Sequence, residues 1–149
     1  MKENKNYKQK LTGVVCVILY DFNKQVLLQH RTEDAPKLPG YWAFFGGGIE
    51  EGETILEAAA REIKEEVNFK SKKLQLIVKQ KFKMLGETRL KNVFIEYCDD
   101  KSSLELKEGQ GWGWYNIRET NKLKIIFHDR AALRYIEKKL QKVGKPTIN

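Results

Sequence analysis

GGGIEEGETILEAAAREIKEEVNF, residues 46–69, gathers Glu50, Glu51, Glu53, Glu57, Glu62, Glu65 and Glu66 within a chain of net charge +8. From Glu53 to Val67 there is no proline and no glycine, and Ile55, Ala59, Ile63 and Val67 recur every four positions. That period predicts an amphipathic helix. Thr54 followed by Glu57 has the form of a capping box, which starts the helix there and gives Glu57 a structural task. At about 100° per residue, Glu65 and Glu66 fall roughly 60° and 40° to either side of Glu62. Three carboxylates therefore share one stripe. Like charges at this spacing cost a helix a few tenths of a kcal/mol per pair, so helix propensity gives no reason for the clustering. A hard divalent cation, which takes oxygen ligands, gives one. The competing reading is an ordinary surface helix on which Arg61 pairs with Glu57 and Glu65 four residues away.

Outward from the helix, Gly46, Gly47 and Gly48 read as a glycine-rich loop joined to the aromatic strand YWAFF (41–45). Such a loop allows close backbone approach to a phosphate, so loop and carboxylate stripe together can hold a diphosphate beside a metal. The whole segment resembles the Nudix box, G-x5-E-x7-R-E-U-x-E-E-x-G-U with U apolar. Here it reads Gly47, Glu53, Arg61, Glu62, Ile63, Glu65, Glu66, Asn68 and Phe69. The final glycine is replaced by Asn68, which follows the helix as its C-cap and tolerates the left-handed conformation. The resemblance implies the α/β/α sandwich of that family, an α+β fold with a mixed sheet between helices. It also implies hydrolysis of a nucleoside diphosphate linked to another group. By the same resemblance Glu62, Glu65 and Glu66 bind Mg2+ or Mn2+, and Glu53 with Arg61 supports the site.

The loop LKEGQGWGWYNI resembles the segment that carries a fourth carboxylate in the mutator-type branch of the family. Glu108 is then the first candidate for an extra metal ligand or general base, ahead of Glu105 and Glu96. Arg31, at the end of LLQHR, matches a phosphate-facing arginine of that branch. Phe45 stands where the family usually has proline, and Gly48 where the mutator-type enzyme has lysine, so a phosphate-binding cation must come from elsewhere, Arg31 or Lys37. The resemblance thus favours a Mg2+-dependent pyrophosphohydrolase that cleaves a nucleoside triphosphate, including an oxidised one, to the monophosphate and pyrophosphate. The alternatives are a hydrolase of a nucleotide sugar or dinucleotide, and a non-catalytic nucleotide-sensing module. No proline lies between Pro39 and Pro146, which argues against the ADP-ribose branch.

Elsewhere the pattern is strands, helix, strands, helix. LTGVVCVILY (11–20) predicts a strand buried on both faces, DFNK a turn, and QVLLQHR a second strand forming a hairpin with the first. TEDAPKLPG (32–40), with two of the three prolines, predicts a surface loop. KLQLIVKQKFKM and RLKNVFIEYC predict two strands joined through LGET, and WGWYNI a further one after the charged loop DDKSSLELKEGQG. In the last element Asp129 is the expected N-cap, Leu133, Ile136, Leu140 and Val143 the apolar face, and Gly144 and Pro146 the stop. Tyr41, Trp42, Phe44, Trp112 and Trp114 are either core or a base-stacking surface. His30 and His128 have no partners at metal-ligand spacing and read as structural or surface residues.

The 149 residues, 41% hydrophobic and 32% charged, fit one folded domain over 11–143 between a basic tail at 1–10 and a C-terminal tail at 144–149. Much of the lysine excess lies in the terminal stretches MKENKNYKQK (1–10) and EKKLQKVGK (137–145), so the charge calls for a small phosphorylated ligand and not for specific nucleic-acid binding. No apolar run approaches the ~20 residues that span a bilayer, and no signal-peptide cleavage site follows the basic start. Cys16 and Cys98 sit in apolar runs, as buried free thiols of a cytoplasmic protein do. A monomer or homodimer is expected.

Overall fold

The computed structural model describes residues 12–143. The tails expected at 1–10 and 144–149, with the helix stop at Gly144 and Pro146, lie outside the described residues. The elements are β1 (Thr12–Tyr20), β2 (Val26–His30), β3 (Trp42–Ala43), β4 (Phe45–Gly48), α1 (Ile55–Val67), β5 (Gln75–Met84), β6 (Glu87–Tyr97), β7 (Gly111–Tyr115) and α2 (Phe127–Lys142), with 3-10 turns at Lys101–Ser103 and Ile117–Lys122.

The apolar residues of β1 alternate between two cores, which makes it a central strand. Val15, Val17 and Leu19 pack with Phe94 against Ala58, Ala59, Ile63 and Val67 of α1. Ile18 packs with Val93 and Ile95 against Ala132, Leu133, Ile136 and Leu140 of α2. The mixed sheet therefore lies between two helices, the α/β/α sandwich expected. β1 runs parallel to β6, with Val17 opposite Phe94, and antiparallel to β4, with Cys16 opposite Gly46. β5 and β6 form the expected hairpin, closed between Met84 and Glu87 by Leu85 and Gly86 at φ 54° and 81°. Two consecutive positive φ values match the right-handed twist of the flanking strands.

Four local expectations change. The β1–β2 hairpin is narrow, with Tyr20 opposite Val26, because β1's edge is taken by β4 and β2 pairs along its length with β7. YWAFF is not one strand: β3 joins β2, β4 joins β1, and Phe44 between them enters the α2 core. The glycine triplet is not a loop but the body of β4. Pairing with β1 requires glycine at the first residue of that triplet. Gly46 has φ 150°, and a Cβ there would stand 2.0 Å from the Val15 carbonyl oxygen. Finally, α2 begins after Ile126 with no side-chain cap, and Asp129 lies inside it. Val143 is the residue that ends α2, so of the expected apolar face Leu133, Ile136 and Leu140 are buried within the helix, joined by Ala132.

Candidate functional site

The start of α1 is set by the capping box: the Glu57 amide donates to Thr54 Oγ1 at 3.1 Å, and the Thr54 amide to Glu57 Oε1 at 3.0 Å. Its end is set by Asn68, which takes φ 60° and sends its amide back to the Ile63 and Lys64 carbonyls. With both ends fixed and Ala59, Ile63 and Val67 buried, Arg61, Glu62 and Glu66 are turned toward β4 or the adjoining loop, and Glu65 is exposed beside Arg61. Glu66, 5% exposed, accepts the Gly46 amide at 2.8 Å. A Cβ on Gly47 would stand 2.6 Å from the Glu62 carboxylate, so glycine makes room for that side chain. A Cβ on Gly48 would meet nothing within 4 Å.

Arg61 ties this region together. Its Nε and Nη2 donate to the two oxygens of Glu53 at 2.7 and 2.9 Å, a bidentate pair. Nη1 donates to Glu62 at 2.9 Å and to Glu65 at 3.4 Å, and Nη2 to the Gly48 carbonyl at 3.0 Å. Glu53 also accepts the Glu50 amide at 2.8 Å, which folds residues 49–53 over the helix start. The Arg61 hydrogen bonds, then the Glu50 amide, hold the Glu53 carboxyl down to about 2. Arg61 is itself raised above its ordinary value, chiefly by Glu53. The pairing of Arg61 with Glu57 weighed from sequence does not form, because Glu57 is spent on the cap.

Glu66 behaves in the opposite way. Burial, then the charge of Glu62 and, more weakly, that of Glu108, push it up to about 8, against the stabilising Gly46 amide. Glu108 is exposed, and its loop is pinned beside the helix end: the Glu105 amide donates to the Val67 carbonyl and the Lys107 amide to the Glu66 carbonyl, each at 2.9 Å. Gln110 anchors the same loop to the end of β2, donating to the Arg31 carbonyl at 2.7 Å. Arg31 lies at that strand end, its Nε on the Lys37 carbonyl at 2.9 Å. Glu53, Arg61, Glu62, Glu65, Glu66 and the glycines of β4 thus form one cluster, with Glu108 in electrostatic reach of it. Glu96 does not join it: it is 7% exposed and accepts the Lys72 amide at 2.8 Å.

Among the described residues no three acidic, cysteine or imidazole groups already converge as a coordination set. The donor chemistry nevertheless fits a hard divalent cation of the kind general to this family, because buried Glu66 is crowded by the charges of Glu62 and Glu108 while Arg61 is divided among Glu53, Glu62 and Glu65. A cation placed there would favour the ionised form of Glu66.

The reading from sequence missed a second charged cluster on the α2 face. Lys91 of β6, 3% exposed, contacts the Asp129 carboxylate and stands 2.7 Å from His128 Nδ1. Burial works against the Asp129 charge, but the contacts with His128 and Lys91 outweigh it and hold the carboxyl below its ordinary range. His128 is therefore a buried structural residue. No local signal announces the cluster, since Lys91 precedes its partners by almost forty residues. Of the aromatics weighed as core or stacking surface, Tyr41, Trp42, Trp112 and Trp114 are half-buried. Phe44 is buried, Trp112 and Trp114 pack on the α1 core, and Trp42 stacks on His30 with ring centroids 4.6 Å apart. Both cysteines are free, Cys98 buried and Cys16 half-buried, the latter pushed up to about 12 by burial.

Among the described residues no helix is long and apolar enough to cross a membrane. The NUDIX domain profile matches residues 10–136. The nucleoside triphosphatase NudI of Enterobacter sp. (strain 638) is 46% identical over 54 residues, 36% of this chain and 38% of that protein. The dihydroneopterin triphosphate diphosphatase of Escherichia coli (strain K12) is 37% identical over 65 residues, 44% of this chain and 40% of that protein. Each match thus spans well under half of the relative's length. The MutT protein of Methanosarcina mazei Go1 superposes with a TM-score of 0.78 at 18% identity, over 91% of this chain and 99% of that one, a likeness of fold. With the domain profile running from before β1 into α2, and the box residues clustered at β4, the chain belongs to the NUDIX family.

Proposed function

We propose that the chain is a Mg2+-dependent pyrophosphohydrolase that cleaves a phosphoanhydride of a nucleoside triphosphate, an oxidised one included, to the monophosphate and pyrophosphate. The observation that carries this reading is Glu66: a buried carboxyl that accepts the Gly46 amide at 2.8 Å at the edge of a glycine strand, its charge opposed by Glu62 and, more weakly, by Glu108. Glu62, Glu65, Glu66 and Glu108 are the groups assigned to the cation, with Mn2+ as its substitute. When bound, the cation supplies charge neutralisation of phosphate oxygens and Lewis acidity toward the attacking water. Glu53 holds Arg61, and Arg61 in turn orients Glu62 and the Gly48 carbonyl. Gly46, Gly47 and Gly48 are the backbone assigned to the phosphates, with open space at Gly48, and Arg31 stabilises charge on them. Glu108 or a glutamate of the box accepts the proton of the attacking water. The names of the two relatives, each for cleavage of a triphosphate, support this substrate class over a nucleotide sugar or dinucleotide.

The test is pyrophosphate and phosphate release from a nucleotide panel with Mg2+, with Mn2+ and with chelator. Metal-dependent pyrophosphate release from a triphosphate is expected. Tight binding of a nucleotide with no turnover on any member of the panel would overturn the enzymatic reading in favour of a sensing module.

A further inference from the structure

Beyond the end of α1, the segment from Asn68 to Gln75 and the ends of β1 and β6 enclose an open cleft of about 810 Å3. Phe69, Leu74 and Ile95 contribute apolar surface, together with Tyr20 and Tyr97, whose ring centroids lie 5.7 Å apart. Lining it among these apolar groups is Glu96, 7% exposed. Its Oε2 accepts the Lys72 amide at 2.8 Å, whereas its Oε1 is buried with no hydrogen-bond partner. A buried acceptor left unmade is costly, and a carboxylate oxygen more so than a neutral one. Lys70 and Lys73 line the cleft from one segment and are exposed, and Asp99 and Asp100 line it from another. The opening therefore has a cationic side and an anionic side.

These features set the chemistry of an occupant. The volume is that of a small-molecule site. The buried oxygen calls for an N–H donor, the rings and aliphatic walls for a flat apolar body, and the lysine side for an anion. A nucleobase bearing ring or exocyclic N–H groups, carried on a ribose phosphate, meets all three. We propose that this cleft is a second binding site, for a nucleoside phosphate, with the base inward on Glu96 Oε1 and the phosphate toward Lys70 and Lys73. The site rests on the groups of the cleft and is independent of catalysis at α1.

The experiment is backbone-amide NMR titration of the labelled full chain in chelator with AMP, GMP, CMP and UMP, and with the four unphosphorylated nucleosides. Saturable shifts at Lys72, Glu96 and Tyr97 are expected for at least one nucleotide. In Glu96→Gln the amide oxygen still accepts the Lys72 amide, while the new NH2 group faces the cleft as a donor. Affinity then falls about tenfold or more. Lys70→Ala with Lys73→Ala weakens the monophosphate several-fold and leaves the nucleoside unchanged. Absence of saturable shifts up to about 5 mM overturns the proposal. So do shifts confined to residues 46–48 and 61–66, or unchanged affinity in Glu96→Gln. Should Glu96→Gln fail to fold, the lysine variant decides: equal effects on nucleotide and nucleoside, or none, overturn it. Because chelator is present throughout, failure here leaves the metal-dependent reading of α1 untouched.

Discussion

The two faces of the sheet each carry buried charge, and the two clusters are composed differently. On the α2 face Lys91 meets Asp129, with His128 beside them, so that one cation answers one anion inside the core. On the α1 face Arg61 is divided among Glu53, Glu62, Glu65 and Glu50, and Glu66 is left against Glu62 with Glu108 in reach. The first cluster pairs its two charges within the chain, with His128 Nε2 left buried and unbonded. The second has a surplus of negative charge at the surface edge of β4, where a cation can enter. Burial of charge is common to both, so burial does not mark the site. Imbalance does.

The balanced cluster is broken most severely by removing one member. Asp129→Ala strands the Lys91 ammonium in the core and is expected to cost about 3–5 kcal/mol in urea denaturation. Replacing both partners together, Lys91→Met with Asp129→Leu, should restore most of that loss. A cost below about 1 kcal/mol for Asp129→Ala would show that the pair is not holding the fold.

The unbalanced cluster should respond to pH instead. Glu66 is raised in the fold from an ordinary 4.5 to about 8, so the folded state holds its proton more tightly than the unfolded chain does. Its contribution is fully present below about 4.5 and is lost as pH rises toward 8. In chelator the stability is expected to fall across that window by on the order of 3 kcal/mol, allowing for relaxation of the site. Added Mg2+ should offset the fall at the alkaline end, and Glu66→Gln should flatten the profile. A profile that Glu66→Gln leaves unchanged would place the surplus on another group. The same substitution keeps an acceptor for the Gly46 amide but removes the charge. Nucleotide turnover is therefore expected to drop about a hundredfold, close to 2.7 kcal/mol, without loss of melting temperature.

Smaller effects test the frame that holds the surplus in place. Thr54→Ala removes one half of the capping box and should cost about 1 kcal/mol by thermal melting. Asn68→Gly keeps the left-handed backbone and loses the 3.3 Å contact to the Ser103 carbonyl, so its effect should stay within about 0.5 kcal/mol.

What was legible from sequence followed the range of the interactions. The capping box and the left-handed Asn68 depend on residues within one helical turn, and both lie where the sequence puts them; the stripe of Glu62, Glu65 and Glu66 is local in the same way, with Glu65 exposed and Glu66 buried. The burial of β1 on both faces is legible for the same reason, since a continuous β-branched apolar run needs no knowledge of partners. Asp129 was misread as a cap because its partner Lys91 comes from a distant strand, and a short polar residue near a helix start looks the same in either role. Gly46, Gly47 and Gly48 read as a loop in sequence because their lack of side chains hides a strand whose identity lies in its pairing with β1. Glu108 was placed beside the box by resemblance alone. The bonds that bring its loop there run from the Glu105 and Lys107 amides to carbonyls of α1, and backbone bonds of that kind leave no trace in residue identity.

The three glycines of β4 also differ in how they would answer random substitution. At Gly46 any side chain drives into the backbone of β1, so folded protein itself should disappear from a selection. At Gly47 alanine meets the movable carboxylate of Glu62, so the protein should persist while its turnover changes. At Gly48 the space is open, and a long side chain can be accepted. A mutational scan scored only by survival would rank the first as the most important catalytic position, although its intolerance comes from strand packing; scoring abundance and turnover separately would distinguish architecture from chemistry within three consecutive residues.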